Sequence, residues 1–311
     1  MYHIPVLLHE VLKYLDPLPG RIFIDCTMGG GGHAKALLDA TAPDGKVLAI
    51  DLDDDSIKHA ISNFQFAISN KRLILVQDNF KNIKNIAKDS GFEGVDGILY
   101  DLGVSSHQLD DKTRGFGFEN DTLDMRMDAG NGITAAEIIN TWQIRELQKI
   151  FKELGEERLH GIIAKTIALE RKKKPIVSAK ELSDIISSVY ERHYRKPSMK
   201  NPATKVFQAL RMSVNDELHN LELSLGDAMG LLKPGGKIAV IAFHSIEDRI
   251  VKNFFKKESK NCICGAEVPV CVCKHKKSLE IITKKPIVPT DGEVSDNPRS
   301  RSAKLRVAKK I

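Results

Sequence analysis

The stretch Phe23–His33 reads FIDCTMGGGGH and passes from a short apolar run through an acid to four glycines. With Ile22 ahead of them, Phe23 and Ile24 make a buried strand. Asp25 closes its carboxyl end, and Gly29–Gly32 lead into a helix over Ala34–Ala40. Strand, glycine turn and helix start, in that order, build a ligand crevice outside the strand ends of an open α/β sheet. Glycine serves where the backbone turns with positive φ or lies against a ligand with no side chain between them. A glycine run by itself is also a packing turn, and it is the sequel that favours the crevice. Val47–Ile50 is a second apolar run ending in Asp51, about 20 residues beyond the glycines, where an acid reaches ribose hydroxyls.

Outward from this stretch the same unit repeats. Residues 2–19 read as an extended lead-in and a helix over Leu7–Leu15, stopped by Pro17 and Pro19. After the turn Ala42–Lys46 and the second strand, Asp53–Phe66 reads as a helix. Leu73–Gln77 is a third strand, followed by Asp78, Asn79 and Phe80, and Ile83–Ser90 is another helix. Val95–Tyr100 is a fourth strand, ending in Asp101. Strands alternating with helices predict a parallel, doubly wound sheet.

Beyond Ser106 the pattern changes. Residues 107–132, rich in Gly, Asp, Asn and Arg, read as a long loop, and helical periodicity without strands fills 134–192. The predicted helices are Thr134–Asn140, Gln143–Leu154, Glu156–Arg171 and Ala179–Tyr190, the last with Ser178 and Glu181 spaced as a capping box. Such a segment inside an α/β chain is an inserted helical domain. The sheet then resumes: one or two helices over Lys205–Leu232, the turn LKPGG, a fifth strand Lys237–Phe243 and a helix Ser245–Lys257. Further strands are expected at Leu279–Ile282 and Ala303–Ala308. The expected organisation is a core of residues 1–106 and 205–311 with a helical substrate-recognition domain over 107–204. A cysteine hairpin at 260–276 and a basic tail close the chain.

The chain has 311 residues, 42% hydrophobic and 28% charged, the balance of an ordinary globular protein. No run approaches the ~20 apolar residues of a membrane span, and the N-terminus lacks the pattern of a signal peptide. A cytoplasmic location and no membrane partner are the expectation. Residues 252–311 hold fifteen Lys/Arg against six Asp/Glu, a local +9 in a chain of net +6. A basic tail on a near-neutral remainder suits a polyanion, although short lysine runs are also ordinary solvated surface.

Four strand ends offer Asp25, Asp51, Asp78 and Asp101 to one crevice. Each also suits the N-cap of the following helix; that role rivals ligand binding for Asp25 and Asp78, and the ribose role is favoured for Asp51. A dinucleotide calls for G-x-G-x-x-G with a helix N-terminus facing phosphate. Here a carboxylate precedes the glycines, which suits a ligand with an amino cation and no phosphate, as in S-adenosylmethionine.

Longer motifs make the match specific. HIPVLLHEVL, DCTMGGGGH, DGILYDLGVSSHQLD, RGFGF, LDMRMD, TKVFQALR, AFHSIEDRIVK and NPRSRSAKLR together resemble the bacterial ribosomal small-subunit (16S) RNA cytosine-N4 methyltransferases, the RsmH/MraW family. LKPGG before the fifth strand is likewise similar to class I methyltransferases. The resemblance runs from His3 almost to the C-terminus. It implies a class I (Rossmann-like) S-adenosylmethionine-dependent methyltransferase core with an inserted all-helical domain, acting on a cytidine of the decoding region. Carried over by position, the cofactor contacts are Gly31, Gly32, His33, Asp51, Phe80, Asp101 and Gln108, and Asp101 is the expected catalytic residue. The small ribosomal subunit or its rRNA is the implied partner. Oligomeric state stays open, a dimer included.

The residues themselves leave some alternatives open. Phe80 suits an adenine face or the edge of a core equally, and His33 suits a ligand or a plain first turn of helix. His244 and Ser245 are secondary candidates that also suit a helix cap. Amino methyltransferases of DNA place Asp or Asn before Pro-Pro and an aromatic at strand four, whereas this chain has Asp101-Leu102-Gly103-Val104. A base must leave its stack to be methylated, and Phe116 and Phe118 are candidates to stack on it or to pack within the protein. Arg114 and Arg126 share their loop. Arg171–Lys174, Arg192–Lys200, Arg211 and Arg299–Arg306 are candidate phosphate contacts. For the substrate that the resemblance implies, transfer to the exocyclic amine is expected to be direct and in-line, with no covalent enzyme–base adduct and no cysteine nucleophile. Cys262, Cys264, Cys271 and Cys273 form C-x-C-x6-C-x-C. That spacing is tighter than the usual zinc pattern, so zinc and reduced hairpin thiols stand as even alternatives. Disulfides are disfavoured inside a cell, and Cys26 reads as a small core residue.

Overall fold

Alternation along each strand decides the sheet. Ile24, Leu48, Ile50, Ile98, Tyr100, Ile238 and Val240 bury into one apolar cluster, while their neighbours Phe23, Val47, Ala49, Leu99, Ala239 and Ile241 bury into another. Both faces of the sheet are therefore covered, as parallel strands require. The computed structural model describes residues 5–194, 201–265, 267–268 and 270–311.

In chain order the first elements are α1 (Leu8–Leu15), β1 (Ile22–Asp25), α2 (Gly32–Ala40), β2 (Lys46–Asp51), α3 (Asp54–Asn63) and α4 (Gln65–Ser69). They continue with β3 (Leu73–Gln77), α5 (Ile83–Asp89) and β4 (Val95–Asp101). Six helices follow: α6 (Ser106–Asp110), α7 (Ala135–Thr141), α8 (Ile144–Glu153), α9 (His160–Glu170), α10 (Ala179–His193) and α11 (Thr204–Asn215). The chain ends with α12 (Glu217–Leu231), β5 (Leu232–Ala242), α13 (Ser245–Glu258), β6 (Leu279–Ile281), α14 (Asp291–Asp296) and β7 (Lys304–Lys310).

The seven strands lie in the order β3-β2-β1-β4-β5-β7-β6. Those from β3 to β5 run parallel, and β7 is antiparallel to both its neighbours. From β1 the chain steps outward to β2 and β3, then returns to β4 on the other side of β1. That reversal is the topological switch point of a doubly wound sheet, where ligand crevices open at the carboxyl ends. The architecture is a doubly wound, Rossmann-like α/β core, the fold that the sequence resemblance implies. α5, α12 and α13 supply Ile83, Leu221, Leu225, Val251 and Phe255 to one face; α1, α2 and α3 supply Val11, Leu15, Leu37 and Ala60 to the other.

The chain divides into two compact units, Met1–Gly103 with Leu218–Ile311, and Val104–Glu217. The second has its own core, built from Ile138, Leu147, Phe151, Ile163, Leu182 and Ile186. α11 belongs to it rather than to the sheet, because Val206, Phe207 and Leu210 bury there. The chain breaks after it at Asp216, whose φ is +49°. Periodicity shows that a helix has an apolar face and not which core receives it.

Other boundaries also differ from the sequence pattern. The single helix expected over Asp53–Phe66 stops at Asn63, and Phe64 separates α3 from α4. β5 begins at Leu232, pairing with Val95, so LKPGG lies inside the strand across an irregular register. Ser178 accepts the Glu181 N–H as a helix cap, while the Glu181 carboxylate pairs with Lys174 at 2.9 Å. Among the described residues no helix is long and apolar enough to cross a membrane.

Candidate active site

The glycine loop is stitched to the strand ends by its backbone. Cys26 N–H donates to Leu99 O at 2.9 Å and Met28 N–H to Ile50 O at 3.0 Å, so the loop leaves β1 between β2 and β4. Gly29 N–H then donates to Asp51 Oδ2 at 2.6 Å. Gly31, at φ +76°, is the N-cap of α2, and a Cβ on it would sit 2.8 Å from the Phe64 ring. On Gly32 a Cβ would meet the Pro5 ring at 2.9 Å. Gly31 requires glycine for both backbone and packing reasons, and Gly32 for packing alone.

The loop brings Asp25, His33, Asp51 and Asp101 together in the sheet unit. Asp51 Oδ1 accepts the Asp53 N–H at 2.9 Å, while its other oxygen holds Gly29. Asp25 is 1% exposed; its Oδ1 accepts the Thr27 N–H at 3.2 Å, and its Oδ2 has no partner. It is therefore not the cap of α2. Asp101 donates its backbone N–H to Thr27 Oγ1 at 2.6 Å. Its Oδ2 lies 3.6 Å from His33 Nε2, at ion-pair rather than hydrogen-bond distance, and its buried Oδ1 has no partner. Neither ring nitrogen of the buried His33 has a partner in strict hydrogen-bond geometry, although Asp101 and the Val6 backbone lie close enough to favour its charged form. Buried polar atoms are almost always satisfied, so this group of open acceptors and donors is what a polar ligand would complete.

The electrostatics give that ligand a sign. Burial pushes the Asp25 carboxyl up to about 6; His33 and the Thr27 N–H pull against it, and Asp101 adds to the rise. Burial also lifts Asp51 to about 6, against the N–H groups of Asp53 and Gly29 and with repulsion from Asp53 and Asp25. For His33, burial opposes the charged form, yet Asp101 and then Asp25 outweigh it and raise its pKa above the usual value. Three clustered carboxylates against one imidazole suit hydroxyls and a cation and repel phosphate. The donor set fits the ribose, ammonium and sulfonium of S-adenosylmethionine, and it does not fit a dinucleotide pyrophosphate.

The remaining expected residues have defined surroundings. Phe80 opens a short 3-10 turn after β3, and its ring meets Tyr100 edge-on at 5.7 Å between centroids, at the margin of the core. Asp78 accepts from Asn79 N–H at 2.6 Å and Asn82 Nδ2 at 2.9 Å. Gln108 lies in the helical unit, where its Oε1 accepts the Ser105 N–H at 2.9 Å in a capping box at the start of α6. His244 is the N-cap of α13, its Nδ1 accepting the Glu247 N–H at 3.3 Å. The sequence did not point to Thr27, whose hydroxyl fixes the backbone of Asp101. Its only sequence signal is its position two residues after the strand-end acid.

Several expected RNA contacts face inward. Phe116 is buried and Phe118 packs edge-on against Phe207 at 4.9 Å, so both rings serve the helical core rather than a base. Arg114 donates to the carbonyls of Arg126 and Met127, and Arg126 grips Asp124 with two hydrogen bonds of 2.8 Å. Arg211 does the same with Glu217, again at 2.8 Å, and Arg306 bonds Asp248 at 2.5 and 3.1 Å. Arg171 caps the Ile139 carbonyl at 2.6 Å. Lys172, Arg192, Arg299 and Arg301 are exposed. Of the phosphate candidates, those at positions 195–200 lie outside the described residues, as does His3. A charge pattern read in one dimension cannot separate an arginine that closes a core from one that meets solvent.

A family model described as the MraW methylase family matches residues 1–311. The ribosomal RNA small subunit methyltransferase H of Carboxydothermus hydrogenoformans is 47% identical over 311 residues, covering 99% of this chain and 98% of the relative. The protein of the same name from Caldicellulosiruptor saccharolyticus is 46% identical over 310 residues, covering 99% of each chain. The one from Finegoldia magna is 43% identical over 310 residues, covering 99% of this chain and 98% of the relative.

Proposed function

The chain belongs to the MraW methylase family, and from that premise we propose that it transfers a methyl group to small-subunit ribosomal RNA. The acceptor is the exocyclic N4 amine of a cytidine in the decoding region. The observation that carries the reading is the cluster of Asp25, His33, Asp51 and Asp101 at the switch point of the sheet, with buried polar atoms left open.

Asp51, already holding the glycine loop, would hold the ribose hydroxyls of the cofactor with its remaining lone pairs, and Asp25 Oδ2, which has no partner, would hold its amino cation. Gly31 and Gly32 let the backbone approach, and Phe80 offers a ring to the adenine. S-adenosylmethionine, when bound, supplies the electrophilic methyl. The cytosine amine is a weak nucleophile because its lone pair is delocalised into the ring. Asp101 Oδ1 accepts one amine N–H, draws that lone pair out of conjugation, and takes up the proton that the amine loses as the N–C bond forms, passing it on to solvent. His33, holding a proton at Nε2 opposite Asp101 Oδ2, keeps the carboxylate ionised, and Thr27 keeps it in place. Positioning and a preorganised charge then supply most of the barrier reduction, with no covalent adduct to the base.

The test is methyl transfer from labelled S-adenosylmethionine to purified small subunits and to naked rRNA, by the native chain and by Asp101→Ala. Transfer by the native chain and loss of about 100-fold or more in the variant are expected. Near-native turnover by Asp101→Ala would remove Asp101 from the mechanism. Absence of both cofactor binding and transfer in the native chain would favour a non-catalytic assembly factor.

A further inference from the structure

Between α13 and β6 the chain forms neither helix nor strand among the described residues. Stretches of this length without secondary structure are uncommon in compact domains unless something ties them down. This one also lacks an apolar core of its own: Val270 is 73% exposed, Val272 72% and Ile263 42%. What it does bring together is sulfur. The Sγ atoms of Cys262, Cys264, Cys271 and Cys273 all lie within 4.8 Å of one another.

The spacings have a chemical meaning. Cys271 Sγ is 3.6 Å from Cys273 Sγ, and Cys273 Sγ is 3.8 Å from Cys262 Sγ. A tetrahedral zinc with bonds of about 2.3 Å to sulfur sets its thiolates about 3.8 Å apart. A disulfide would require about 2.05 Å. The two C-x-C pairs lie against each other, with all four sulfurs within 4.8 Å, so the tight spacing still assembles four ligands. Backbone donors support two of the sulfurs: Ile263 N–H points at Cys273 Sγ and Cys264 N–H at Cys262 Sγ, both at 3.4 Å. Such contacts stabilise thiolate charge and orient metal ligands. Nε2 of the nearby His275 donates to Lys257 O at 3.1 Å, tying the segment to α13, so the donor set is four sulfurs. Four thiolates and one divalent ion sum to two negative charges, and Lys260, Lys274, Lys276 and Lys277 are neighbours of the cysteines in the sequence.

We propose that Cys262, Cys264, Cys271 and Cys273 form a tetrahedral zinc site. With four protein ligands it has no open position, so its role is to fold the segment rather than to react. Binding releases the four thiol protons to solvent and changes no oxidation state.

The test uses the full chain, produced with zinc in the medium and purified under reducing conditions without chelator. Mass-spectrometric metal analysis is expected to find about one zinc per chain, and replacement by cobalt(II) to give the visible bands of a tetrahedral tetrathiolate. In Cys271→Ser/Cys273→Ser the zinc content should fall to about one tenth or less, with the far-ultraviolet circular dichroism unchanged because these side chains lie outside both cores. Zinc far below one per chain that added zinc does not restore, with four thiols free to react, would overturn the proposal. So would full zinc in the double variant, disulfides under reducing conditions, or an octahedral cobalt spectrum.

Discussion

Replacing Asp25 by asparagine is expected to alter stability in a pH-dependent way. The carboxyl is buried, one of its oxygens has no partner, and burial raises its pKa from 3.8 to about 6. A carboxyl whose pKa is higher in the folded than in the unfolded chain stabilises the fold below about pH 4. That contribution is lost as pH rises through about 6. The whole effect is about 3 kcal/mol, of which about 1.4 kcal/mol is lost between pH 5 and pH 7.5. Asparagine keeps the shape and cannot ionise, so the variant gains on the native chain by that amount across the interval. The attraction of His33 for the Asp25 carboxylate is already contained in the pKa of about 6, since it holds the carboxyl below where burial alone would put it. At roughly 2 °C per kcal/mol for a chain of this size, the gap between the two melting temperatures should move by about 3 °C in favour of the variant. Thermal unfolding of both proteins without cofactor, at the two pH values, measures it. A gap independent of pH, or moving the other way, would refute the buried-charge reading of the crevice.

Other consequences follow from the same geometry. Affinity for S-adenosylmethionine should weaken as pH falls through about 6, where Asp25 and Asp51 take up protons. Calorimetric titration at pH 7.5 and 5.5 should show a several-fold loss, and equal affinities would exclude these carboxylates from binding. Arg211→Ala should destabilise the helical unit by about 1–3 kcal/mol, since it strands Glu217 in a part-buried site. The same variant should leave the salt dependence of RNA binding unchanged, and a shallower slope would mark Arg211 as a phosphate contact after all.

What the sequence makes legible follows from what a one-dimensional pattern records. Buried strands have no solvent-facing side, so FID, VLAID and ILYD stand out as apolar runs closed by an acid, and the parallel sheet follows. The acids at the strand ends are equally visible, because successive parallel strands end on one side. Partners are not visible. Nothing in the residues says that Phe64 packs on Gly31 and breaks a helix, or that β5 reaches back to pair with Val95. Nor do they say that α11 buries its apolar face with the helical unit. Arg211 and Arg306 read as surface charge and are instead closed onto Glu217 and Asp248. The pairing of His33 with Asp101 joins residues far apart in sequence, and it depends on β4 lying beside β1.

The central claim is that one carboxylate at the end of β4 presents the exocyclic amine of a cytosine for direct methyl transfer. Mapping the product on small-subunit rRNA by nucleoside mass spectrometry, after reaction with the native chain, tests it most directly. The account predicts a single cytidine methylated at N4, with the hydrogen on carbon five retained. Methyl on carbon five, or exchange of that hydrogen during the reaction, would contradict it.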